Sequence, residues 1–288
     1  HSIGRDFWSE LVATANATIL SEVSSSQLKA YLLSESSLFV WQDRLTMITC
    51  GTTTLVNAID YLLEKLGQNN LETLIFQRKN EHFSHLQNTT FYEDVSRIRK
   101  HLPGISFRFG PKHEHHNFLF HSDLSFECDP KDTTTELLMY DIQEEASDFL
   151  TQSGRSAEEL RQFFRLDELF PDFSIDDFAF EPYGYSMNAI KGDKYCTIHV
   201  TPQQVSSYVS FETNMTMDES QNGIFLTMLD VLRPRSFDTV AFNVELKSIV
   251  PSQYILKTTV QEKLDLGYTV TFRHYFQESH EVERPQKF

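Results

Sequence analysis

The chain has 288 residues, 40% hydrophobic and 13% aromatic, with 24 Phe, 10 Gly and 9 Pro; this excludes a disordered or collagen-like chain and predicts a single domain over residues 1–288. With 41 acidic against 25 basic residues the formal charge is −16, which excludes a nucleic-acid partner and suits a cationic small molecule, although acidity also serves plain solubility. Cys50, Cys128 and Cys196 lack the spacing of a disulfide framework or zinc motif and fit a reducing compartment, and no apolar run reaches membrane-spanning length, so a cytoplasmic protein with no membrane partner and no signal peptide is expected.

Residues 5–20 predict a short helix running into a strand. The run from Ala30 to Val40 reads as an apolar strand interrupted by Ser34-Glu35-Ser36-Ser37. A buried strand has no packing use for those residues, so the interruption costs stability unless it serves chemistry. A polar bulge on an edge strand is the plain alternative. Arg44 to Cys50 predicts a hairpin partner, ended by Gly51. Thr52, Thr53 and Thr54 then offer caps to a helix with Leu55, Ile59, Leu62, Leu63 and Leu66 on one stripe. A strand at Leu74 to Gln77 precedes a helix carrying Phe91, Val95, Ile98 and Leu102, closed by Pro103-Gly104. Strands are predicted near 105–109 and 117–121, with a long one from Thr133. The second half predicts strands near 194–200 and 206–212, then a helix with Ile224, Phe225, Met228, Leu229 and Leu232 stopped by Pro234. Strands near 239–245, 254–260 and 268–275 close the chain. Strand–strand–helix–strand order in both halves predicts antiparallel sheets, each with helices on one face.

An internal serine can attack the carbonyl of its own preceding peptide bond and then eliminate, leaving a pyruvoyl group. That chemistry needs a strained backbone, a stabilised oxyanion and a base for the serine α-proton. Ser34-Glu35-Ser36-Ser37 is one segment that could host it. A second is Thr49-Cys50-Gly51-Thr52-Thr53-Thr54, with a cysteine at a strand end before a helix N-terminus, where thiolate is favoured. A lone cysteine is ordinarily a small buried hydrophobe. A third is Phe178-Ala179-Phe180-Glu181-Pro182-Tyr183-Gly184-Tyr185-Ser186-Met187-Asn188, where Phe180 also fits core packing and Ser186 a turn. The fourth is Tyr195-Cys196-Thr197-Ile198-His199-Val200-Thr201-Pro202, followed by Tyr208 to Asn214. Alternation puts Thr197, His199 and Thr201 on one face, and a lone strand histidine is ordinarily structural.

Together and in this order, these segments resemble the eukaryotic, pyruvoyl-dependent S-adenosylmethionine decarboxylases over nearly the whole chain. The resemblance implies an α/β fold of the α+β type: a four-layer αββα sandwich of two antiparallel β-sheets with helices on the outer faces. It implies cleavage between Glu35 and Ser36, giving a β chain of 1–35 and an α chain of 36–288 whose Ser36 becomes the pyruvoyl cofactor. S-adenosylmethionine would condense with that carbonyl through its amine as a Schiff base, lose CO₂ and be reprotonated by Cys50. The product is the aminopropyl donor of spermidine and spermine synthesis. By the same resemblance Ser186 and His199 serve self-cleavage, His199 as base, while Leu33, Phe180 and Gln203 bind substrate, Phe180 by stacking on adenine. Asp132, Thr134, Glu136 and Glu212 match positions that bind putrescine as an activator in some members, with separate surface acids the alternative. A homodimer of processed protomers is a further implied partner.

Several positions depart from the family pattern. Gln203 stands where the family has a glutamate that accepts both ribose hydroxyls, Tyr183 replaces a cysteine and Ile48 a lysine. A Phe-Glu-Gly-x-Glu-Lys segment is not found before Ser34, and the expectation is that this N-terminal family segment is missing from the chain. These departures leave a rival reading, a catalytically impaired paralogue that regulates an active decarboxylase. The run Lys112-His113-Glu114-His115-His116, with His121 beyond, invites a metal. No metal is expected, because no second cluster completes a tetrahedral set and the family uses none.

Overall fold

The computed structural model of the chain describes residues 3–34, 36–51, 53–80, 87–201, 207–216, 222–246 and 250–278. The first half runs α1 (Arg5–Thr14), β1 (Ile19–Ser24), β2 (Lys29–Leu33), β3 (Ser36–Val40), β4 (Leu45–Thr49), α2 (Leu55–Leu66), β5 (Ile75–Lys79), α3 (Phe91–Ile98), β6 (Gly104–Phe109) and β7 (Asn117–Ser122). The second half runs β8 (Thr134–Tyr140), α4 (Glu144–Thr151), α5 (Ala157–Phe163), α6 (Leu166–Leu169), β9 (Ser174–Ala179), β10 (Tyr185–Lys191), β11 (Lys194–Thr201), β12 (Tyr208–Thr213), α7 (Asn222–Leu232), β13 (Ser236–Phe242), β14 (Tyr254–Lys263) and β15 (Thr269–Gln277). Strands of the second half form one eight-stranded sheet, ordered β14-β15-β13-β8-β12-β11-β10-β9. Pairings described in all the sheets are antiparallel, as in β2–β3, β6–β7 and β11–β12.

Four layers result, helix–sheet–sheet–helix, as the sequence predicts. Trp8, Leu11 and Val12 of α1 cover Tyr31, Leu33 and Leu38. Val56, Ile59 and Leu63 of α2 join Val95 and Ile98 of α3 on Phe76 and Phe120. On the far side, Leu150, Leu160, Leu166 and Met228 cover Leu137, Met139, Ile198 and Phe211. Between the sheets, Phe109 and Leu119 meet Leu138, Val240 and Phe272, while Ala30 and Phe39 meet Ile190 and Tyr195. Each fully buried Leu or Phe stabilises this arrangement by roughly 2 kcal/mol. β8 lies in the middle of its sheet with both faces covered, so its sequence Thr134-Thr135-Glu136-Leu137-Leu138-Met139-Tyr140 is buried almost throughout. The edge strand β14 is mostly exposed and carries Lys257, Glu262 and Lys263, charges that discourage pairing with another chain.

Four details differ from the sequence reading. The first β layer is two sheets, β1-β2-β3-β4 and β5-β7-β6, leaving β4 and β5 as edges. Ser34-Glu35-Ser36-Ser37 does not interrupt one strand. Leu33 pairs with Ser36, so the chain reverses between these two residues, joining β2 and β3, two interior strands. A polar turn that short needs no apolar residues, which explains the composition without a bulge. Thr54 is the N-cap of α2 but makes no side-chain cap bond, and Thr53 Oγ1 instead donates to the Cys50 carbonyl at 2.8 Å. Finally, residues 144–191 hold α4, α5, α6, β9 and β10, for which no separate elements are expected from periodicity alone. The reciprocal cap of Ser156 with Glu159 at α5 was a readable start signal there.

Candidate active site

A cavity of about 2010 Å³ lies between the β layers and is lined along β4 and β5. Ser36, Cys50, Thr197, His199, Glu136 and Glu212 all line it.

The turn after β2 places Ser36 at the start of β3. Its φ is 144°, whereas the five other described non-glycine residues with positive φ lie between 41° and 63°, the ordinary left-handed region. A conformation left almost entirely to glycine costs a serine on the order of 1–3 kcal/mol. Ser36 is fully buried, and its Oγ has no hydrogen-bond partner among the described residues. Across the sheet it pairs with Thr49, the residue before Cys50. Cys50, which is partly buried, thus follows the cross-strand partner of Ser36, and both residues line the cavity.

The next residue, Ser37, points across the interlayer space. Its Oγ lies 2.6 Å from Asn188 Oδ1, 3.3 Å from His199 Nε2 and 3.4 Å from Thr197 Oγ1. Thr197 Oγ1 lies 3.0 Å from Asn188 Oδ1 and 2.9 Å from His199 Nε2. On the other side of the ring, Nδ1 lies 2.9 Å from Ser186 Oγ. With Asn188 Oδ1 facing both hydroxyls, Ser37 and Thr197 donate their protons to it. Their remaining lone pairs can then only accept from His199, which assigns the proton to Nε2. Nδ1 is left as an acceptor for the Ser186 hydroxyl. Register alone places these groups together, since Ser186 pairs with His199 and Asn188 with Thr197. Burial pushes the His199 pKa down to about 4, so the imidazole is neutral at physiological pH.

Farther along the sheet, Glu136 and Glu212 are direct cross-strand partners on β8 and β12. Gln77 Nε2 donates to both Glu136 oxygens at 2.7 Å, and Tyr195 OH donates to Glu212. Burial, then repulsion from Glu212, raises the Glu136 pKa well above the usual carboxyl range. Burial raises that of Glu212 to about 7, against the hydrogen bond from Tyr195. The pair therefore holds a proton at neutral pH.

Other expected site residues are placed differently. Thr134 and Asp132 line the same cavity, Asp132 accepting from Tyr268 OH and, through its carbonyl, from Asn243. Leu33 is buried in the cluster beneath α1, away from the cavity lining. Phe180 follows β9 outside the cavity lining, its ring at 4.9 Å and 63° to that of Phe178 and its N–H donating to the Gly184 carbonyl. Glu35 and Gln203 lie outside the described residues. Ser37, Asn188, Gln77 and Tyr195 were given no role from sequence, and Thr197 was read only as sharing a face with His199. Strand parity could have found Asn188, two residues after Ser186.

The sequence model of the adenosylmethionine decarboxylase family matches residues 1–283. The chain is 31% identical over 313 residues to the S-adenosylmethionine decarboxylase proenzyme of Trypanosoma cruzi, covering 99% of this chain and 84% of that relative. The Leishmania donovani proenzyme of the same name is 34% identical over 256 residues, covering 84% of this chain and 66% of the relative. For the Xenopus laevis proenzyme the figures are 32% over 252 residues, 83% and 75%. Among solved structures, the Trypanosoma brucei AdoMetDC-delta26 monomer superposes with a TM-score of 0.65 at 26% identity, covering 84% of this chain and 99% of that one.

Proposed function

The chain belongs to the adenosylmethionine decarboxylase family, and from that premise we propose that it decarboxylates S-adenosylmethionine for polyamine synthesis after cutting itself at Ser36. One observation carries the reading: a buried serine at φ 144°, its Oγ unengaged among the described residues, directly before the hydroxyl that touches His199. In the first step Ser36 Oγ bonds to the carbonyl carbon of residue 35 and that carbon's bond to the Ser36 nitrogen breaks, so an amide becomes an ester. Relief of the 1–3 kcal/mol stored at Ser36 favours the rearrangement. A base then takes the Ser36 α-proton, and the ester C–O bond breaks to free the carboxylate of residue 35. Hydrolysis of the remaining dehydroalanine releases ammonia and leaves a pyruvoyl group at the new N-terminus. His199 is the base. Its Nδ1 lone pair, aimed at Ser186, takes a proton directly or through that hydroxyl.

The pyruvoyl carbonyl supplies an electron sink for loss of CO₂. The buried position of Ser36 fits such a group: Oγ, which the protein leaves unsatisfied, departs with the carboxylate of residue 35, and an apolar methyl would remain in its place. Cys50, one residue beyond Ser36's cross-strand partner, returns the proton to carbon. The acidic cavity wall of Glu136 and Glu212 suits a cationic sulfonium substrate. Retention of Ser36, Cys50, Ser186 and His199 around one cavity end argues against an impaired regulatory copy.

The test is release of labelled CO₂ from carboxyl-labelled S-adenosylmethionine by the purified protein, alongside denaturing electrophoresis. Two bands with a blocked N-terminus on the larger, together with CO₂ release, are expected. One band and no release overturns the reading. Cys50→Ala is expected to leave cleavage intact and to slow turnover about 100-fold; loss of cleavage in that variant would reassign the thiol.

The same cavity offers a site for an activator. Glu136 and Glu212 are a site for putrescine, whose two ammonium groups can neutralise a carboxylate pair that otherwise keeps a proton. The sign follows from linkage. Both folded pKa values are raised, so this pair's stabilisation is present below the unfolded value near 4.5 and is lost as pH rises through about 7. Putrescine should therefore raise the melting temperature more at pH 8 than at pH 6. Glu212→Gln should remove that difference, and an equal shift at both pH values would remove the assignment.

A further inference from the structure

His115, Asp238 and His274 converge at the other end of the cavity wall. We propose that these three side chains bind a borderline divalent transition metal such as Zn²⁺, with a fourth coordination position open to the cavity.

The convergence is a product of folding that spacing could not display. The loop between β6 and β7 carries His115, while Asp238 and His274 are cross-strand partners on β13 and β15. Gly110, at φ 108°, lets this loop fold back tightly, since a Cβ there would sit 2.7 Å from the His115 carbonyl oxygen. The second cluster that the histidine run lacks in sequence is thus supplied from the opposite layer. The two imidazoles stack at 4.5 Å between centroids and 23° between planes. Both present Nδ1 to the same carboxylate, one to each oxygen: His115 to Oδ2 at 3.3 Å and His274 to Oδ1 at 2.7 Å. All three donor atoms lie within 4.8 Å of one another.

That geometry is close to a metal's requirement. Ligands about 2.0–2.1 Å from a tetrahedral ion stand roughly 3.3 Å apart, which is the His115–Asp238 distance. With Oδ2 as the ligating oxygen, the 2.7 Å hydrogen bond between His274 and Oδ1 is given up. Each neutral imidazole carries its proton on Nε2 when Nδ1 ligates, so binding exchanges two hydrogen bonds for two coordinate bonds. Two nitrogens and one carboxylate oxygen suit Zn²⁺ better than Mg²⁺ or Ca²⁺. Asp238 and His274 are buried, while His115 is about one-third exposed and, with Asp238, lines the cavity. The open position therefore faces the cavity.

The site is separate from the self-cleavage centre yet aligned with it. Cross-strand register runs Ser186–His199–Ser210–Leu138–Asp238–His274 in one row across the sheet. Three strand spacings, roughly 14 Å, separate His199 from Asp238. An ion held there joins the β6–β7 loop of one layer to the second layer, so binding must stabilise the fold.

Titration of the purified chain with Zn²⁺ in buffer free of phosphate and imidazole tests the proposal, read by calorimetry and by melting temperature. One equivalent should bind and raise the melting temperature. His115→Ala, at the most exposed ligand, should weaken binding at least tenfold and abolish the thermal shift, and His113→Ala should leave both unchanged. Co²⁺ should give the visible absorption of a four-coordinate ion in the wild type and lose it in His115→Ala. Absence of one-site binding, or equal affinity in the wild type and His115→Ala, overturns the proposal. If His115→Ala does not fold, His115→Gln serves the same comparison. None of these readouts depends on decarboxylase activity.

Discussion

Ser36→Ala is expected to remain one band of 33.5 kDa on denaturing electrophoresis, where the wild type is expected to separate into chains 1–35 and 36–288. Without Oγ there is no nucleophile for the preceding carbonyl, so the effect is complete rather than graded. A second substitution separates chemistry from strain. Ser36→Gly also lacks the hydroxyl and should also stay uncut, but glycine accepts φ 144° without penalty. Relief of strain favours the glycine variant over the alanine variant by about 1–3 kcal/mol. Glycine's greater unfolded-state freedom offsets roughly 0.5–1 kcal/mol of this. Denaturant unfolding should therefore find the glycine variant more stable by a net difference of about 0.5–2 kcal/mol. Cleavage persisting in Ser36→Ala would place the scissile bond elsewhere. A glycine variant less stable than the alanine variant by the full unfolded-state difference, roughly 0.5–1 kcal/mol, would show that the backbone at this position stores no strain.

How much of this was legible in the sequence depends on how local the signal was. β11 could be read with its face, because Thr197, His199 and Thr201 alternate with the apolar Ile198 and Val200. The stripe of α2 was readable for the same reason, as was the pairing of β3 with β4, whereas the helix expected to close at Pro103-Gly104 ends at Ile98 and leaves Leu102 beyond it. The reversal between Leu33 and Ser36 reads from sequence as a break inside one strand. Both flanks, Tyr31-Leu32-Leu33 and Leu38-Phe39-Val40, are apolar, and periodicity does not distinguish a resumed strand from a returning one. The stretch from 144 to 169 escaped because its helices are seven, eight and four residues long, too short for a strong amphipathic pattern. Long-range convergence was the least legible. Asp238 lies 123 positions from His115 and Gln77 lies 59 from Glu136, and nothing in either neighbourhood marks the contact. The division of the first layer into sheets of four and three strands belongs to the same class, since which edges stay unpaired is decided by the whole layer.

His199→Ala is expected to slow self-cleavage by two to four orders of magnitude, the range that a positioned general base contributes, while the chain still folds. The surrounding bonds make this more than loss of a ring. Nε2–H satisfies Ser37 and Thr197 together, so its removal also frees the hydroxyl beside the scissile bond. The conservative variant His199→Asn keeps a donor but offers no basic nitrogen, and should cleave as slowly as alanine. The pH profile separates a base from a spacer. Burial lowers the His199 pKa to about 4, so wild-type cleavage should be level from about pH 8 to about pH 5 and fall only below that. An exposed histidine would begin to fail near 6.5. Stability must follow the same group: a depressed folded pKa contributes stability that is present above the unfolded value near 6.5 and is lost as pH falls towards 4. The loss is bounded at about 3 kcal/mol by the size of the shift. Acid unfolding of His199→Asn should consequently be shallower than wild type across that interval. A cleavage rate that already falls between pH 7 and 6, or parallel acid-unfolding curves for the two proteins, would mean that the base acting on Ser36 is some other group.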